Sequence, residues 1–211
     1  MTIWFTSDWH FDHDKDFIYK ARGFNNISDM NDAIVKKYNE IVKPEDTTYV
    51  LGDLCLGGGA DNVLTVNQER INLLNGKKRI IIGNHDTDRR IEMYERCLNT
   101  EILGYADYMR FNGYYFYISH FPTITSNLDY DKPLKARIIN LFGHTHQTDK
   151  FYYNNPLMYN VGVDAHCCYP VSIDQIIQDI QEKFVSVPAE EEIQTNLEPF
   201  ISFLDNTMKL N

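Results

Sequence analysis

Five short polar motifs constrain the fold of this 211-residue chain, because each of them closely follows an apolar run of strand length. β-Branched and aromatic runs of this length predict strands. In an open α/β sheet, the loops that leave the carboxyl ends of the strands meet at one edge, where binding sites form. The runs are Ile3–Thr6, Thr48–Leu51, Arg79–Ile82, Tyr114–Ile118 and Ile138–Phe142, and the motifs are Asp8-Trp9-His10, Gly52-Asp53, Gly83-Asn84-His85-Asp86, Ser119-His120 and Gly143-His144-Thr145-His146.

The side chains of these motifs are typical of a site for two divalent cations. Asp, Asn and His without thiolates favour Mn, Fe, Zn or a similar metal over a structural zinc site. Asp8 and His10 are two residues apart, as are His144 and His146, so an extended backbone would direct both side chains of each pair to one side. Asp53 is the natural bridging ligand, with one carboxylate oxygen for each ion.

Glycines precede three of the predicted ligands. Gly52, Gly83 and Gly143 stand directly before Asp53, Asn84 and His144. Glycine is expected where a backbone turns sharply or comes close to a site. The pattern therefore supports tight loops at the carboxyl ends of these strands.

In order along the chain, the motifs D-x-H, G-D, G-N-H-D, a lone H and G-H-x-H resemble those of the calcineurin-like metallophosphoesterases, from Asp8 to His146. The resemblance implies an α/β fold, an αββα four-layer sandwich of two mixed β-sheets flanked by helices, with a dinuclear metal site at strand carboxyl ends. It implies that His85 is a general acid or transition-state hydrogen-bond donor and that Asp86 orients its ring. The implied ligands are Asp8, His10, Asp53 and His146 for the first metal, and Asp53, Asn84, His120 and His144 for the second.

Two such cations, roughly 3.5–4 Å apart, lower the pKa of a bridging water, so that a hydroxide is available near neutral pH, and they hold the phosphoryl oxygens for in-line attack. Departure of the alkoxide needs a proton donor, and a histidine with a pKa near ~6.5 suits that role. We therefore predict a metal-dependent phosphoesterase that hydrolyses a phosphodiester or phosphomonoester, in a small nucleotide-type substrate, by a metal-bridging hydroxide. Mn is the favoured metal, with Fe, Zn or Ni as alternatives.

Other functions stay open at this point. A phosphoprotein phosphatase or a nuclease is the alternative within the enzyme class, and a non-catalytic metal-binding scaffold is the alternative outside it. The net charge of −10 argues against an extensive surface for duplex nucleic acid, which would need many Lys and Arg side chains. Scaffold members of the superfamily tend to have lost ligand residues, whereas this sequence has the full set.

Three further residues are candidates for substrate binding. His13 is close enough in sequence to His10 to reach the rim of the site, and a surface-loop histidine is the alternative. Arg22 lies in a turn-rich loop, where its guanidinium could bind phosphate as a bidentate fork or remain solvated. His166 follows an apolar run and is a candidate for the substrate side.

The remaining pattern predicts one catalytic domain, residues 1–183, and a C-terminal amphipathic extension, residues 184–211, packed on the core. Ser28 is the expected N-cap of a helix to about Val42, and Asn112-Gly113 predicts a hairpin turn. Further helices are expected near 62–74, 88–98 and 173–183. Without a signal-peptide pattern or an apolar run of about 18 residues, we expect a cytoplasmic protein that does not enter a membrane. The oligomeric state stays open.

Overall fold

The computed structural model describes residues 1–57, 61–125 and 132–186. Strands and helices alternate in the first half, and strands dominate from residue 100 to residue 160. The strands are β1 (Ile3–Thr6), β2 (Thr47–Leu51), β3 (Lys77–Ile81), β4 (Thr100–Gly104), β5 (Ala106–Phe111), β6 (Tyr114–Ser119), β7 (Ile138–Phe142), β8 (Met158–Asn160) and β9 (Val171–Ser172). The helices are α1 (Asp16–Tyr19), α2 (Ile27–Ile41), α3 (Asp61–Asn72), α4 (Asp88–Glu95) and α5 (Ile173–Ser186), with 3₁₀ turns at Leu134–Ala136, Tyr152–Asn154 and Val163–His166.

The described strands form two mixed sheets. The first has the order β4-β3-β2-β1-β9, parallel except for the antiparallel β9. The second has the order β5-β6-β7-β8, in which only the β5–β6 pair is antiparallel. Two mixed sheets flanked by helices are the predicted fold class, which is confirmed.

Two apolar clusters hold these layers together. Met30, Ile34 and Tyr38 of α2 repeat every four residues and are fully buried, in a cluster that includes Val50 and Ile80 of the first sheet. Burial of each such side chain contributes roughly 1.5–3 kcal/mol. The second cluster lies between the sheets and includes residues from β1, β2, β6, β7 and α5. Both clusters fix the carboxyl ends of the strands that precede the polar motifs.

The start of α2 differs from the prediction. Asn26, not Ser28, is the N-cap, because its side chain accepts a hydrogen bond from the Asp29 backbone N–H at 2.9 Å. The hairpin is confirmed: Asn112 and Gly113 have φ values of 47° and 84°, which are the two positive values that a type I′ turn requires.

Helix α5 begins where predicted, with the Ser172 hydroxyl accepting a hydrogen bond from the Gln175 N–H at 3.2 Å. It continues to Ser186, so the first three residues of the predicted 184–211 extension belong to this helix. The rest of that extension lies outside the described residues, and its packing stays a prediction. None of the helices in the described ranges combines the length and hydrophobicity that a membrane span needs.

Candidate metal centre

Five of the seven predicted ligands have a left-handed backbone conformation. Asp8, His10, Asp53, His144 and His146 have φ values of 60°, 52°, 56°, 67° and 52°. Non-glycine residues rarely adopt this conformation, which carries an energetic cost and is found in turns and at functional sites. We predicted that an extended backbone would direct the two side chains of each pair to one side, and this prediction is wrong. The turns after each strand direct the side chains instead.

The glycines before the ligands permit close contact between these loops. A Cβ atom on Gly52, whose φ is 85°, would lie 2.6 Å from the Gly83 Cα. A Cβ on Gly83 would collide with the Asp53 carboxylate, and one on Gly143 with the Ser7 hydroxyl. The predicted need for glycine at these positions is confirmed.

A first cluster consists of Asp8, His10 and His146, whose ligand atoms lie within 4.8 Å of one another. Asp8 Oδ1 is 3.8 Å from His10 Nε2 and 4.0 Å from His146 Nε2. Asp8 and His10 are each 1% exposed. Asp8 Oδ1 and both ring nitrogens of His10 have no hydrogen-bond partner, which is rare for buried polar atoms. A cation at this cluster would satisfy Asp8 Oδ1 and the His10 Nε2 that faces it.

A second cluster consists of Asp53, His120 and His144, again within 4.8 Å. His120 Nδ1 is 2.6 Å from the Leu51 carbonyl oxygen, so it donates there and leaves Nε2 for the site. Nε2 is 2.9 Å from Asn84 Oδ1 and 3.4 Å from Asp53 Oδ2. Burial opposes the charged ring, but the hydrogen bond with Asp53 and the nearby carboxylates raise the pKa of His120 to about 9. These oxygens therefore favour a positive charge at this point.

Asp53 lies between the two clusters. Its Oδ2 is 3.7 Å from His10 Nε2 and 3.4 Å from His120 Nε2. Its Oδ1 accepts a hydrogen bond from the His85 backbone N–H at 2.9 Å. We expected one carboxylate oxygen for each ion, whereas the single oxygen Oδ2 faces both clusters.

The donor atoms fit a pair of divalent cations. They are imidazole nitrogens and carboxylate or amide oxygens, without thiolate, as expected for Mn, Fe or Zn. The side chains lie in the two groups that the resemblance implies, and Asn84 joins the second group through its contact with His120. Metal binding by these residues stays a prediction.

Comparison with known proteins identifies the family. The sequence model described as calcineurin-like phosphoesterase matches residues 1–179. The chain belongs to this family. An uncharacterised protein of Methanocaldococcus jannaschii is 32% identical over 182 residues, which cover 85% of this chain and 92% of that protein.

Two further proteins are similar to this chain, one in sequence and one in fold. The Gene 66 protein of Mycobacterium phage D29 is 28% identical over 201 residues and aligns with 85% of this chain and 98% of its own length. The crystal structure of a protein of unknown function from Aquifex aeolicus superposes with a TM-score of 0.62 at 23% identity, covering 84% of this chain and 98% of that one. The second similarity shows a shared fold.

Arg22 does not have the predicted role of a free phosphate fork. Its side chain is 2% exposed, and its Nε and Nη2 donate to Asp164 at 2.8 and 2.9 Å. Nη1 and Nη2 also donate to the backbone carbonyls of Trp9 and Asp8, at 3.1 and 2.9 Å. The guanidinium therefore stabilises the loop that carries the first cluster.

Asp164 is a site residue that the sequence reading missed. Its Oδ2 accepts a hydrogen bond from His146 Nδ1 at 2.9 Å, which leaves Nε2 of that ring for a metal, as in many carboxylate–histidine–metal sites. Burial opposes its ionisation, but the hydrogen bonds with His146 and Arg22 outweigh it and lower the pKa of Asp164 to about 2. The signal that could have found it is its position two residues after Gly162, just beyond β8.

Asp86 makes no hydrogen bond to the His85 ring, although the implied role would require one. Its oxygens accept hydrogen bonds from the backbone N–H groups of Gly83 at 2.8 Å and Asp53 at 2.9 Å, and from the Tyr94 hydroxyl at 2.7 Å. Burial raises the pKa of Asp86. This carboxyl group therefore joins the loops after β2 and β3 and positions the ligands that they carry.

The other candidates lie in different places. His85 is exposed, with its ring centroid 5.6 Å from that of His10, and His13 is 5.3 Å from the same ring. Both line a cavity beside the first cluster, so His13 does reach the rim. His166 does not line this cavity. Its Nε2 is hydrogen-bonded to the Asn160 carbonyl oxygen at 2.8 Å, and its ring stacks on that of Tyr159.

Proposed function

We propose that the protein is a metal-dependent phosphoesterase that hydrolyses a phosphodiester or phosphomonoester bond in a small nucleotide-type substrate. The observation that carries the proposal is the position of Asp53 Oδ2, 3.7 Å from His10 Nε2 and 3.4 Å from His120 Nε2. A carboxylate oxygen between two groups of nitrogen and oxygen donors suits a ligand shared by two cations. Membership of the phosphoesterase family supports an activity on phosphate esters.

In this proposal the two clusters hold one divalent ion each and share Asp53. When bound, two divalent ions supply a water of lowered pKa for attack on phosphorus and neutralise charge on the phosphoryl oxygens. The second oxygens of the carboxylates are held by the protein: Asp8 Oδ2 accepts a hydrogen bond from the His144 N–H at 2.9 Å. The ligands would be Asp8, His10 and His146 for one ion, Asn84, His120 and His144 for the other, and Asp53 for both.

His85 is the residue that we propose as proton donor to the leaving-group oxygen. Its side chain is exposed at the cavity beside the first cluster, and no hydrogen bond to a described residue holds it. Its backbone N–H donates to Asp53 Oδ1, which ties the loop that carries the ring to the shared carboxylate. General acids of this kind contribute typically about 10²–10⁴-fold to turnover.

We also propose Mn²⁺ as the metal in the cell and the cytoplasm as the compartment. The nitrogen and oxygen donors suit Mn²⁺ among other divalent ions. The cysteines Cys55, Cys97, Cys167 and Cys168 are all free thiols, which is consistent with a reducing compartment.

The proposal is tested by following hydrolysis of bis-p-nitrophenyl phosphate and p-nitrophenyl phosphate in parallel, with protein stripped by EDTA and then supplied with Mn²⁺. We expect metal-dependent turnover of at least one ester. Asp53→Asn should abolish it and lose metal from both clusters. His85→Ala should keep the wild-type metal content but reduce turnover by about 10²–10⁴-fold.

The outcomes separate the alternatives. Dominant diester cleavage would direct the search to cyclic or linear nucleotides, and dominant monoester cleavage to phosphatase substrates, including phosphopeptides. A steep loss of activity with salt on polynucleotides would indicate a nuclease. Metal binding without turnover of these esters or of phosphorylated metabolites would contradict the enzyme proposal in favour of a scaffold.

A further inference from the structure

A cavity of about 520 Å³ opens directly beside the first ligand cluster. This volume is within the usual range for small-molecule sites, roughly 300–1,000 Å³. Its lining includes the ligands His10 and His146 and the proposed acid His85. The apolar wall of the cavity consists of Phe17, Ile18, Ala21 and Leu56.

The apolar wall presents an aromatic ring to solvent. Phe17 is 68% exposed, although Ile18 and Tyr19, its neighbours on the short helix α1, are 6% and 9% exposed. The helix is therefore anchored by Ile18 and Tyr19 while Phe17 projects from it. An exposed ring face beside a cavity can stack on a planar ligand group, and such stacking is the usual way in which proteins hold a nucleobase without reading its identity.

His13 adds one polar group to this wall. Its ring is perpendicular to that of Phe17, with the centroids 5.6 Å apart and the planes at 90°. Its Nδ1 is buried and has no hydrogen-bond partner. A ligand with a polar edge atom could supply the partner, whereas a purely hydrocarbon group could not.

The charges of the lining argue against a second phosphate here. Among the described residues that line the cavity, Arg22 is the only side chain with a permanent positive charge. Its N–H groups already donate hydrogen bonds to Asp164 and to backbone carbonyls. A second anionic group of a ligand would therefore be repelled by Asp164, and the Arg22 guanidinium would not be free to bind it. A neutral planar ring with polar edge atoms fits the wall better.

We propose that this cavity binds the base of a nucleotide substrate, with the base against Phe17 and one of its edge atoms bonded to His13. The phosphate would then lie at the metal clusters and His85 between the two. The inference rests on the proposed function, since it assigns the substituent that accompanies the phosphate ester.

The test compares two ligands that differ only in the base. They are the phosphonate isosteres of AMP and of ribose 5-phosphate, in which a methylene group replaces the ester oxygen, so that neither can be hydrolysed. Affinities are measured by calorimetry with the Mn²⁺-loaded protein. The AMP isostere should bind at least about tenfold more tightly than the ribose 5-phosphate isostere, as expected for base–aromatic stacking.

Variants assign the preference to the wall. Phe17→Ala should bring the two affinities together without changing Mn²⁺ content, whereas Tyr108→Ala should keep the preference. Tyr108 is a matched control because it is also more than half exposed, at 54%, and does not line the cavity. His13→Ala should weaken the preference, and His13→Asn, which retains a polar atom near the Nδ1 position, should restore part of it.

Equal affinity of the wild-type protein for the two phosphonates, binding of neither, or a preference that survives Phe17→Ala would overturn the inference. The binding measurement does not depend on turnover. A protein that binds the base but hydrolyses no ester would therefore contradict the proposed activity and leave the base site supported. A protein that hydrolyses esters but shows no preference for the base would support the proposed activity and contradict the base site.

Discussion

At the scale of single residues, the candidate ligands depend on side chains that would not touch a metal. Asp164 accepts hydrogen bonds from His146 and Arg22, and Asp86 joins the backbone of Gly83 to that of Asp53. The ligand types were readable from short motifs. These supporting contacts were not, because Arg22 and Asp164 are 142 positions apart and a single sequence carries no sign of that pairing.

Asp164→Asn tests this support. The amide has only one acceptor oxygen, so in either orientation its NH2 group faces a donor: Arg22 Nε in one, or Arg22 Nη2 and His146 Nδ1 in the other. The support that orients the His146 ring is therefore weakened. We expect Mn²⁺ affinity to fall by about 10–100-fold, the usual effect of losing such a partner. Metal titration with elemental analysis measures it without reference to turnover.

Asp179→Asn is the matched control. Asp179 is also a carboxylate with ionic and hydroxyl partners, Lys150 at 2.8 Å and Tyr159 at 2.6 Å, but it lies on α5 and in neither ligand cluster. Its substitution should lower stability and leave Mn²⁺ affinity unchanged. Equal losses of affinity in both variants would mean that Asp164 acts only through general stability.

At the scale of elements, the strands β1, β2, β3, β6 and β7 were predictable within two residues at each end, because runs of β-branched and aromatic residues end at turn-forming motifs. Strand β4 was not predicted: all its residues are only partly buried, so Thr100–Gly104 lacks a strong apolar pattern. Strand β9 has two residues, too few for any periodicity. The left-handed turns after β1, β2 and β7 were not predictable either. Asp and His occur in many backbone conformations, so they do not indicate a left-handed turn as strongly as glycine does.

Asp46 connects elements at the opposite, amino-terminal side of β2. It accepts hydrogen bonds from Thr2 N at 2.6 Å, and from Trp4 Nε1 and Lys43 N at 3.0 Å. Burial opposes its ionisation, but these bonds outweigh it and hold the pKa of Asp46 below its ordinary value of 3.8. Its contribution to stability is therefore present above pH 3.8 and is lost as the pH falls through the lowered folded-state pKa.

Asp46→Asn should lower the free energy of unfolding by roughly 1.5–3 kcal/mol near neutral pH, because an amide nitrogen would face a donor. The difference from wild type should narrow as the pH falls below about 3.8. Urea unfolding at a series of pH values measures it, with the exposed Asp32→Asn as control for the loss of one charge. A difference that stays constant with pH would show that ionisation of Asp46 does not stabilise the fold.

At the scale of the whole molecule, the candidate centre joins the two sheets. Asp8, His10, Asp53 and Asn84 follow strands of the first sheet, whereas His120, His144 and His146 follow strands of the second. Without cations, the buried Asp8 and Asp53 carboxylates bring negative charge to this junction, and only part of it is balanced by His120. Metal binding should therefore stabilise the contact between the sheets as well as prepare the site.

This argument predicts that the melting temperature of EDTA-stripped protein rises with added Mn²⁺. A ligand that binds only the folded state stabilises it by about 2.7 kcal/mol per site at 100 times its Kd, which corresponds to roughly 5–10 °C for a chain of this size. Asp53→Asn should remove most of the rise, since Asp53 Oδ2 faces both clusters, and Asp32→Asn should keep it. A melting temperature that does not respond to Mn²⁺ would mean that the ligands of the two sheets are not joined through a metal.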